Sequence, residues 1–425
     1  MNGASANASG IPNVQVRASR RPIFVRKPLL IAVVYFFFNG VALPVGLFYT
    51  TVLSPLFFVW LYRRGQKWLP IIFLGCLSPF IIAHALNGIE SLFYYARSSL
   101  LLWTVCIIVC TFYLALVNCP NLERLFEQLI VLNFVAMLIA VFFLFTNFRE
   151  VFWNDYSDSF EEGSNQILRL KLLTSEPSEY GGLMAPLLVF AILRLIRVPK
   201  IRNFIYAAMI TVPFLLCQSL GGLVMSLLGI GTASLISFRY SARKEEMFLV
   251  FAVIVILTAG LVIVPNPVSQ RISQAVAGED SSINSRTVSA FIVAYDVAVP
   301  KSVLWGAGLG QGKLTDVSDL GLGFQVGTIP NAVAGTFAEL GIIGLLVKLV
   351  IELYLFFRTR VYTNAFRLAM FVVAFITQLT GSYLMNVQEY VMWFLAFGPF
   401  FPQMDFRKKI RAPTQPARVL RPEVS

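Results

Sequence analysis

"ARSSLLLWTVCIIVCTFYLALV", Ala96 to Val117, decides the architecture of this chain. Arg97 stands at its head, and no charge follows it through Val117. A hydrocarbon core about 30 Å thick takes roughly 20 apolar residues as a helix, so the stretch is long enough to cross a bilayer. Its apolar residues run continuously instead of alternating, which excludes a barrel strand. A helix is then the structure that satisfies every backbone group in lipid.

Outward from that stretch, about a dozen others of the same kind follow. They fall at about 28–46, 47–62, 69–87, 125–147, 179–197, 203–219, 221–238, 246–264, 331–357, 365–384 and 387–404. Composition agrees: 57% of the 425 residues are hydrophobic and 13% are charged, where a globular surface takes roughly a quarter charged. The expectation is an all-α polytopic membrane protein with about 12 transmembrane helices and two large outer loops, the second carrying an amphipathic helix. Its segments are a basic arm at 1–27, five helices over 28–147 and an outer loop at 148–178. Helices six to nine then cover 179–264, a large outer loop 265–330, the last three helices 331–404 and a basic tail 405–425.

Basic residues test the count independently. Arg17, Arg20, Arg21, Arg26 and Lys27 precede the first span. Other clusters follow the second span (Arg63, Arg64), the sixth (Arg194, Arg197), the eighth (Arg239, Arg243), the tenth (Arg358, Arg360) and the last (Arg407, Lys408). With twelve spans they all fall on one side, which the positive-inside rule makes cytoplasmic together with both termini. The net charge of +12 is therefore a topology and headgroup signal and calls for no nucleic-acid partner. The first apolar stretch lacks a small-residue cleavage pattern and is expected to be retained. Cys76, Cys106, Cys110, Cys119 and Cys217 lie in or beside spans and read as small packing residues, not a disulfide framework.

Soluble chemistry must then sit in the two long loops. The first holds Glu150, Asp155, Asp158, Glu161 and Glu162 ahead of Arg169 and Lys171, without ligand spacing for a metal. In the second, Val288, Phe291, Ile292, Tyr295 and Val299 recur as one helix face, predicting an amphipathic helix on the membrane surface. Arg286 opens that helix and Pro300 closes it. A guanidinium beside a helix start favours an anion, phosphate above all, or else anchors the helix to lipid headgroups. In "WGAGLGQGKL", Trp305 to Leu314, alternating glycines lack the flanking strand and helix of a nucleotide fold and read as a tight turn where backbone passes close to a substrate or a helix.

Between the loops and the spans, "EPSE" puts Glu176 and Glu179 at the outer mouth of the sixth span, with Pro177 suited to a first helical turn and Ser175 placed to cap it. Acids there stabilise a helix start. At the same outer level stand His84, Arg97, Arg169, Lys171, Asn331, Glu339 and Glu389, and ionisable groups against hydrocarbon are read as functional. His84, the only histidine, is a packing residue or a proton carrier. Lys348 and Glu352, one turn apart and deep in the tenth span, are expected to neutralise each other or snorkel inward.

In its order of features the chain resembles the O-antigen polymerase and O-antigen ligase family of integral membrane glycosyltransferases. The likeness runs from about 165 to 345. It comprises Glu176-Pro177-Ser178 opening a span, Arg286 at a loop helix, Pro300 with Gly308 and Gly310, and Asn331 followed by Glu339-Leu340-Gly341 and Gly344. Ligase members commonly show His-Asn where "TIPNAV" has Pro330-Asn331, so the polymerase branch is favoured. The resemblance implies transfer of a growing glycan to the next undecaprenyl-diphosphate-linked repeat unit at the outer face of a bacterial inner membrane, without metal, nucleotide or other cofactor. A chain-length regulator and a flippase would be its partners. Within that reaction Arg286 and Arg169, helped by Lys171, would stabilise the departing diphosphate. Glu176, with Glu179 and His84 behind it, would take the acceptor proton. Arg97, Asn331 and Glu339 would bind substrate, and Trp153, Tyr156 and Trp305 would stack on sugars. Outside this reading stand a lipid-linked oligosaccharide flippase, which would place polar residues on broken helices near the midplane, the ligase, a peptidoglycan polymerase of the shape, elongation, division and sporulation type, and a membrane scaffold.

Overall fold

The structure, a computed structural model, describes residues 26–40, 42–43, 47–156, 167–240, 285–314, 329–382 and 384–406, with isolated positions from 248 to 277. The expected ninth span and most of the acids of the first loop lie outside the described residues. In chain order the helices are α1 (Arg26–Phe38), α2 (Tyr49–Arg63), α3 (Trp68–Asn87), α4 (Leu92–Val117), α5 (Leu122–Phe142) and the single turn α6 (Arg149–Phe152). Then come α7 (Pro177–Arg197), α8 (Ile201–Leu216), α9 (Leu220–Tyr240), α10 (Val288–Ala298), α11 (Ala332–Arg358), α12 (Ala365–Thr380) and α13 (Val387–Phe397).

Among the described residues six helices, α3, α4, α5, α7, α9 and α11, are long and apolar enough to cross a membrane, and shorter apolar helices accompany them. The chain is an all-α, multi-pass membrane protein. The first expected span is shorter than read from sequence. α1 stops at Phe38, about 20 Å of helix, and a small hairpin of β1 (Ala42–Leu43) and β2 (Leu47–Phe48) turns the chain into α2. Asn39 and Gly40 interrupt the apolar run there, and the Asn39 side chain accepts from Thr50 Oγ1 at 3.0 Å.

α7 is the axis of the bundle. Both its faces are apolar and it is the most buried of the six, packed by α5, α8, α9 and α12. A helix buried all round is read as hydrophobic all round, and the run from Gly181 to Ala191 is that kind. Near its far end Phe190 meets Phe401 at 4.8 Å and Phe126 at 5.2 Å between ring centroids, closing the core. At that end too Arg194 pairs with Glu127 and Glu123. Arg197 donates to the Asp405 carbonyl at 2.6 Å, and Arg367 donates to the carbonyls of Thr359, Ala396 and Phe397. These bonds gather arginines from two of the basic stretches, those that follow the sixth and the tenth expected spans, at a single end of the bundle, where the carbonyl ends of α11 and α13 accept Arg367.

At the opposite end, β3 (Trp153–Tyr156) and β4 (Ile167–Leu170) form an antiparallel hairpin with Asn154 opposite Arg169. Trp153 is buried and donates to Ala140 O at 2.8 Å, so it packs the hairpin onto α5 and offers no face to a sugar.

α10 forms where expected, with the predicted bulky stripe exposed and the opposite face packed on α11. Its small residues Ala290, Val293, Ala294 and Val297 pack on Ala334 and Ala338 of α11, while Val288, Phe291, Ile292, Tyr295 and Val299 are left exposed. Close helix approach favours the alanine face, which leaves the bulky face for lipid.

The tenth expected span is not one continuous helix. Gly341 adopts φ 68° and ψ −172°, breaking α11. The break frees backbone groups that lipid cannot satisfy, and the glycine-rich turn satisfies them. Ala307 N–H donates to Ala338 O at 2.8 Å and Gly308 N–H to Glu339 O at 3.1 Å. In return Ile342 N–H donates to Val303 O at 3.0 Å and Ile343 N–H to Leu304 O at 3.2 Å. The turn at Gly306 and Gly308 is thus a plug for a helix break.

Candidate functional site

The end of the bundle away from Arg194 holds a pocket of about 300 Å³. Its walls are the starts of α7, α9 and α13, the end of α12 and the lead-in to α10. Each local start has a sequence cause. Glu176 is extended (φ −137°, ψ 150°) because Pro177 follows it, and Pro177 then sits in the first turn of α7. Ser219 Oγ accepts from Gly222 N at 3.2 Å at the head of α9, and Asn386 caps α13 through Gln388 N at 2.9 Å. Helix starts carry unpaired N–H groups and the positive end of the helix dipole, so three of them around one space favour an anion.

Of the residues expected at the site, Glu176, Glu179 and Arg286 line this pocket together. Glu176 Oε2 accepts from Ser178 Oγ at 2.9 Å and Glu179 Oε2 from Ser175 Oγ at 2.7 Å, so Ser175 orients Glu179 and does not cap α7 as expected. Thr174 Oγ1 bridges the carbonyls of Lys171 and Glu176, and Ser175 N–H reaches Gly40 O at 3.1 Å, tying the loop to the end of α1. A Cβ on Gly40 would stand 2.9 Å from the Glu179 carboxyl carbon, so this glycine leaves room for that side chain. Among the described residues the Arg286 guanidinium makes no ion pair or side-chain hydrogen bond; it lies over Gly381, with Nη1 3.4 Å from where a Cβ would be.

Asn331 does not line the pocket; it fixes what does. Its Oδ1 caps α11 through Ala334 N at 2.9 Å, and its Nδ2 donates to Arg286 O at 3.0 Å and to Leu379 O at 2.7 Å. One side chain thereby joins the Arg286 backbone to the end of α12. Arg169 stands behind the pocket wall, its Nε 3.2 Å from Cys217 O and its Nη2 3.3 Å from Gln218 O. A cation on the carbonyl end of α8 is favoured by the dipole, and here it holds the strained turn at Gln218 (φ 49°) that presents Ser219. The Cys217 thiol in that turn is fully buried. Lys171 is not on the wall.

His84, Glu339 and Arg97 lie elsewhere. His84 bonds Tyr95 Oη at 2.9 Å and Trp305 O at 2.8 Å, clamping the glycine turn to α3 and α4, with both ring nitrogens engaged. Gln311 adds a reciprocal pair of 3.0 Å bonds with the Ser91 backbone. Glu339 lies on the turn before the α11 break, its carbonyl held by Gly308. Trp305 packs edge-on against Phe80, 5.7 Å between centroids. Tyr156 is the last residue of β3, Lys171 follows β4, and Arg97 sits on α4.

Ser219, Thr377, Asn386 and Gln388 line the pocket without having been singled out from sequence. For Asn386 and Gln388 the signal was the stretch from Thr380 to Gln388, which a hydropathy window assigns to two nearly abutting spans; Ser219 and Thr377 carried none. Gln388 is buried against α7, where Gly182 makes room: a Cβ there would collide with its carboxamide. Among the described residues there is no group of three or more His, Cys, Asp or Glu placed to hold a metal ion.

Compared with known proteins, the chain matches no family model and no curated sequence.

Proposed function

We propose that this pocket is the transfer site of a polymerase of undecaprenyl-diphosphate-linked oligosaccharide repeat units. The observation that carries the reading is that Glu176 and Arg286, more than a hundred residues apart in sequence, line one pocket at three helix starts, with the guanidinium unpaired among the described residues. In the reaction an acceptor hydroxyl oxygen bonds to the anomeric carbon of the growing glycan, and the bond from that carbon to the diphosphate oxygen breaks. The hydroxyl proton passes to Glu176, and the lipid diphosphate leaves with the electron pair. Arg286 and the N–H groups at the starts of α7, α9 and α13 stabilise the charge gathering on the diphosphate, a contribution of the kind worth about 10²–10³ in rate per donor. Glu179 and Gln388 orient sugar hydroxyls, while Arg169 acts as a positioning residue through the Ser219 turn.

On this reading the chain crosses the bacterial inner membrane twelve times with both termini cytoplasmic, the Arg194 end facing the cytoplasm and the pocket facing out. The convergence of Arg194, Arg197 and Arg367 at one end supports that orientation. A lipid-linked oligosaccharide flippase is the second reading, favoured by the break at Gly341 and by charges buried below it. Purified protein incubated with synthetic undecaprenyl-diphosphate repeat units, without nucleotide or metal, separates them. A ladder of glycan lengths that disappears in Glu176→Gln is expected. Movement of the intact lipid across a proteoliposome bilayer with no ladder would replace the polymerase by the flippase.

A further inference from the structure

Lys348 was expected to pair with Glu352 along its own helix or to reach toward the membrane surface. It does neither alone. Its ammonium turns into the bundle and pairs directly with Glu389 of α13, while Glu352 Oε1 stays 3.8 Å away. Gln378 of α12 donates from Nε2 to Glu352 Oε2 at 3.2 Å, and Trp393 Nε1 donates to Glu389 Oε1 at 3.4 Å. Glu389 is 1% exposed, Gln378 0% and Glu352 8%. The site is therefore sealed by three helices, and it abuts the pocket: α12 gives Thr377 to the pocket and Gln378 to the cluster, and α13 gives Gln388 and then Glu389.

Two features make the cluster incomplete as drawn. Two carboxylates face one ammonium, so ionising both leaves a buried negative charge without a counter-charge, a costly state inside a membrane. Glu352 Oε1, Gln378 Oε1 and Glu389 Oε2 are also buried without a hydrogen-bond donor among the described residues. One proton removes the surplus negative charge and, on Glu352 Oε1, turns one of these acceptors into a donor for another. The groups facing them are Lys348 and Glu352 from α11 and Glu389, Tyr390 and Trp393 from α13, with Tyr390 also in electrostatic reach of Glu339 and of Cys106 on α4. A metal ion is disfavoured because the ammonium already occupies the position beside Glu389.

We propose that Lys348, Glu352, Gln378 and Glu389 form a proton-binding site inside the membrane domain, with one proton on Glu352 beside the Lys348–Glu389 ion pair. Glu389 already holds both the ammonium and the Trp393 N–H, so the proton is placed on Glu352. Glu352, farther from Lys348, takes the proton from water and returns it to water, and its O–H supplies a donor to one neighbouring acceptor. The assignment is independent of the substrate in the neighbouring pocket.

Infrared spectroscopy of the full-length protein in lipid nanodiscs tests it. Wild type should show a carboxylic-acid C=O band at pH 7 that shifts in D2O and vanishes in one step as alkali is added. Glu352→Gln should lose it. Gln378→Leu, which keeps the carboxyl but removes its donor, should move the band to higher frequency. No acid band at pH 7, or a band removed by Glu179→Gln and kept in Glu352→Gln, would overturn the proposal. Should Glu352→Gln not fold, an unmoved band in Gln378→Leu overturns it equally.

Discussion

Gly341→Ala tests the break in α11 most directly. The residue sits at φ 68°, ψ −172°, a region open in practice only to glycine. An alanine held there costs about 1–3 kcal/mol of backbone strain. Its Cβ would press on the Leu304 carbonyl and stand 2.5 Å from Gly306 N, both backbone atoms of the turn, adding about 1–3 kcal/mol of crowding. The helix has one escape, which is to straighten. Ile342 and Ile343 would then recover helical bonds, but Val303 O, Leu304 O and the N–H groups of Ala307 and Gly308 would lose their partners. Buried groups so orphaned cost about 1–3 kcal/mol each. The strained route therefore costs about 2–6 kcal/mol and the straightened one, with four groups orphaned, about 4–12 kcal/mol, so a loss of at least about 2 kcal/mol is expected, large against the 5–15 kcal/mol typical of a folded domain. Reversible unfolding in mixed detergent measures it, with Gly75→Ala on α3 as control because nothing stands within 4 Å of a Cβ there. If Gly341→Ala unfolds at the same midpoint as Gly75→Ala, the plugged break is not an element of the fold.

Arg286→Lys should lower polymer formation about 100-fold, since lysine keeps the charge without the planar fork; undiminished ladders would remove the diphosphate role. Asn331→Ser should restore the helix cap but neither tie to Arg286 nor to Leu379, so thermal stability should recover relative to Asn331→Ala while turnover stays low; equal recovery of both would make Asn331 a cap only. His84→Gln should weaken the protein to heat and leave the shape of the activity–pH profile unchanged, because both ring nitrogens serve the clamp. The loss of a pH limb would return His84 to the chemistry. Cys217 should resist maleimide because it is fully buried in the turn, and Arg169→Met should speed its labelling by opening the turn; labelling no faster than wild type refutes the turn-holding role.

The helices were legible because hydropathy is a local property. α3, α4, α5, α7, α9 and α11 begin and end within a few residues of the runs that predicted them. What hydropathy cannot see is a conformational break inside an apolar run. Nothing between Ala332 and Lys348 is polar enough to stop a window, and only Glu339 and the glycines hint that α11 is interrupted. The packing of α10 on α11 was out of reach for a related reason. Periodicity identifies the bulky stripe, yet in a membrane bulky side chains are as content with lipid as with protein, and close packing selects the alanines instead.

The candidate site was legible to the extent that its chemistry is unusual for its surroundings. Glu176 and Arg286 stand out because charge at a span mouth is expensive, and expense is visible in one sequence. Gln388, Ser219 and Thr377 do not stand out, because an uncharged polar residue at a helix end has an ordinary capping explanation. The residues that separate wall from support were out of reach, since Arg169 and Arg286 look alike in sequence. One spends its guanidinium on the carbonyls of Cys217 and Gln218, and the other keeps its guanidinium unpaired among the described residues. That difference is set by what each arginine meets after folding: a helix carbonyl end neutralises Arg169 into a scaffold, whereas Asn331 holds the Arg286 backbone and leaves its charge for a ligand.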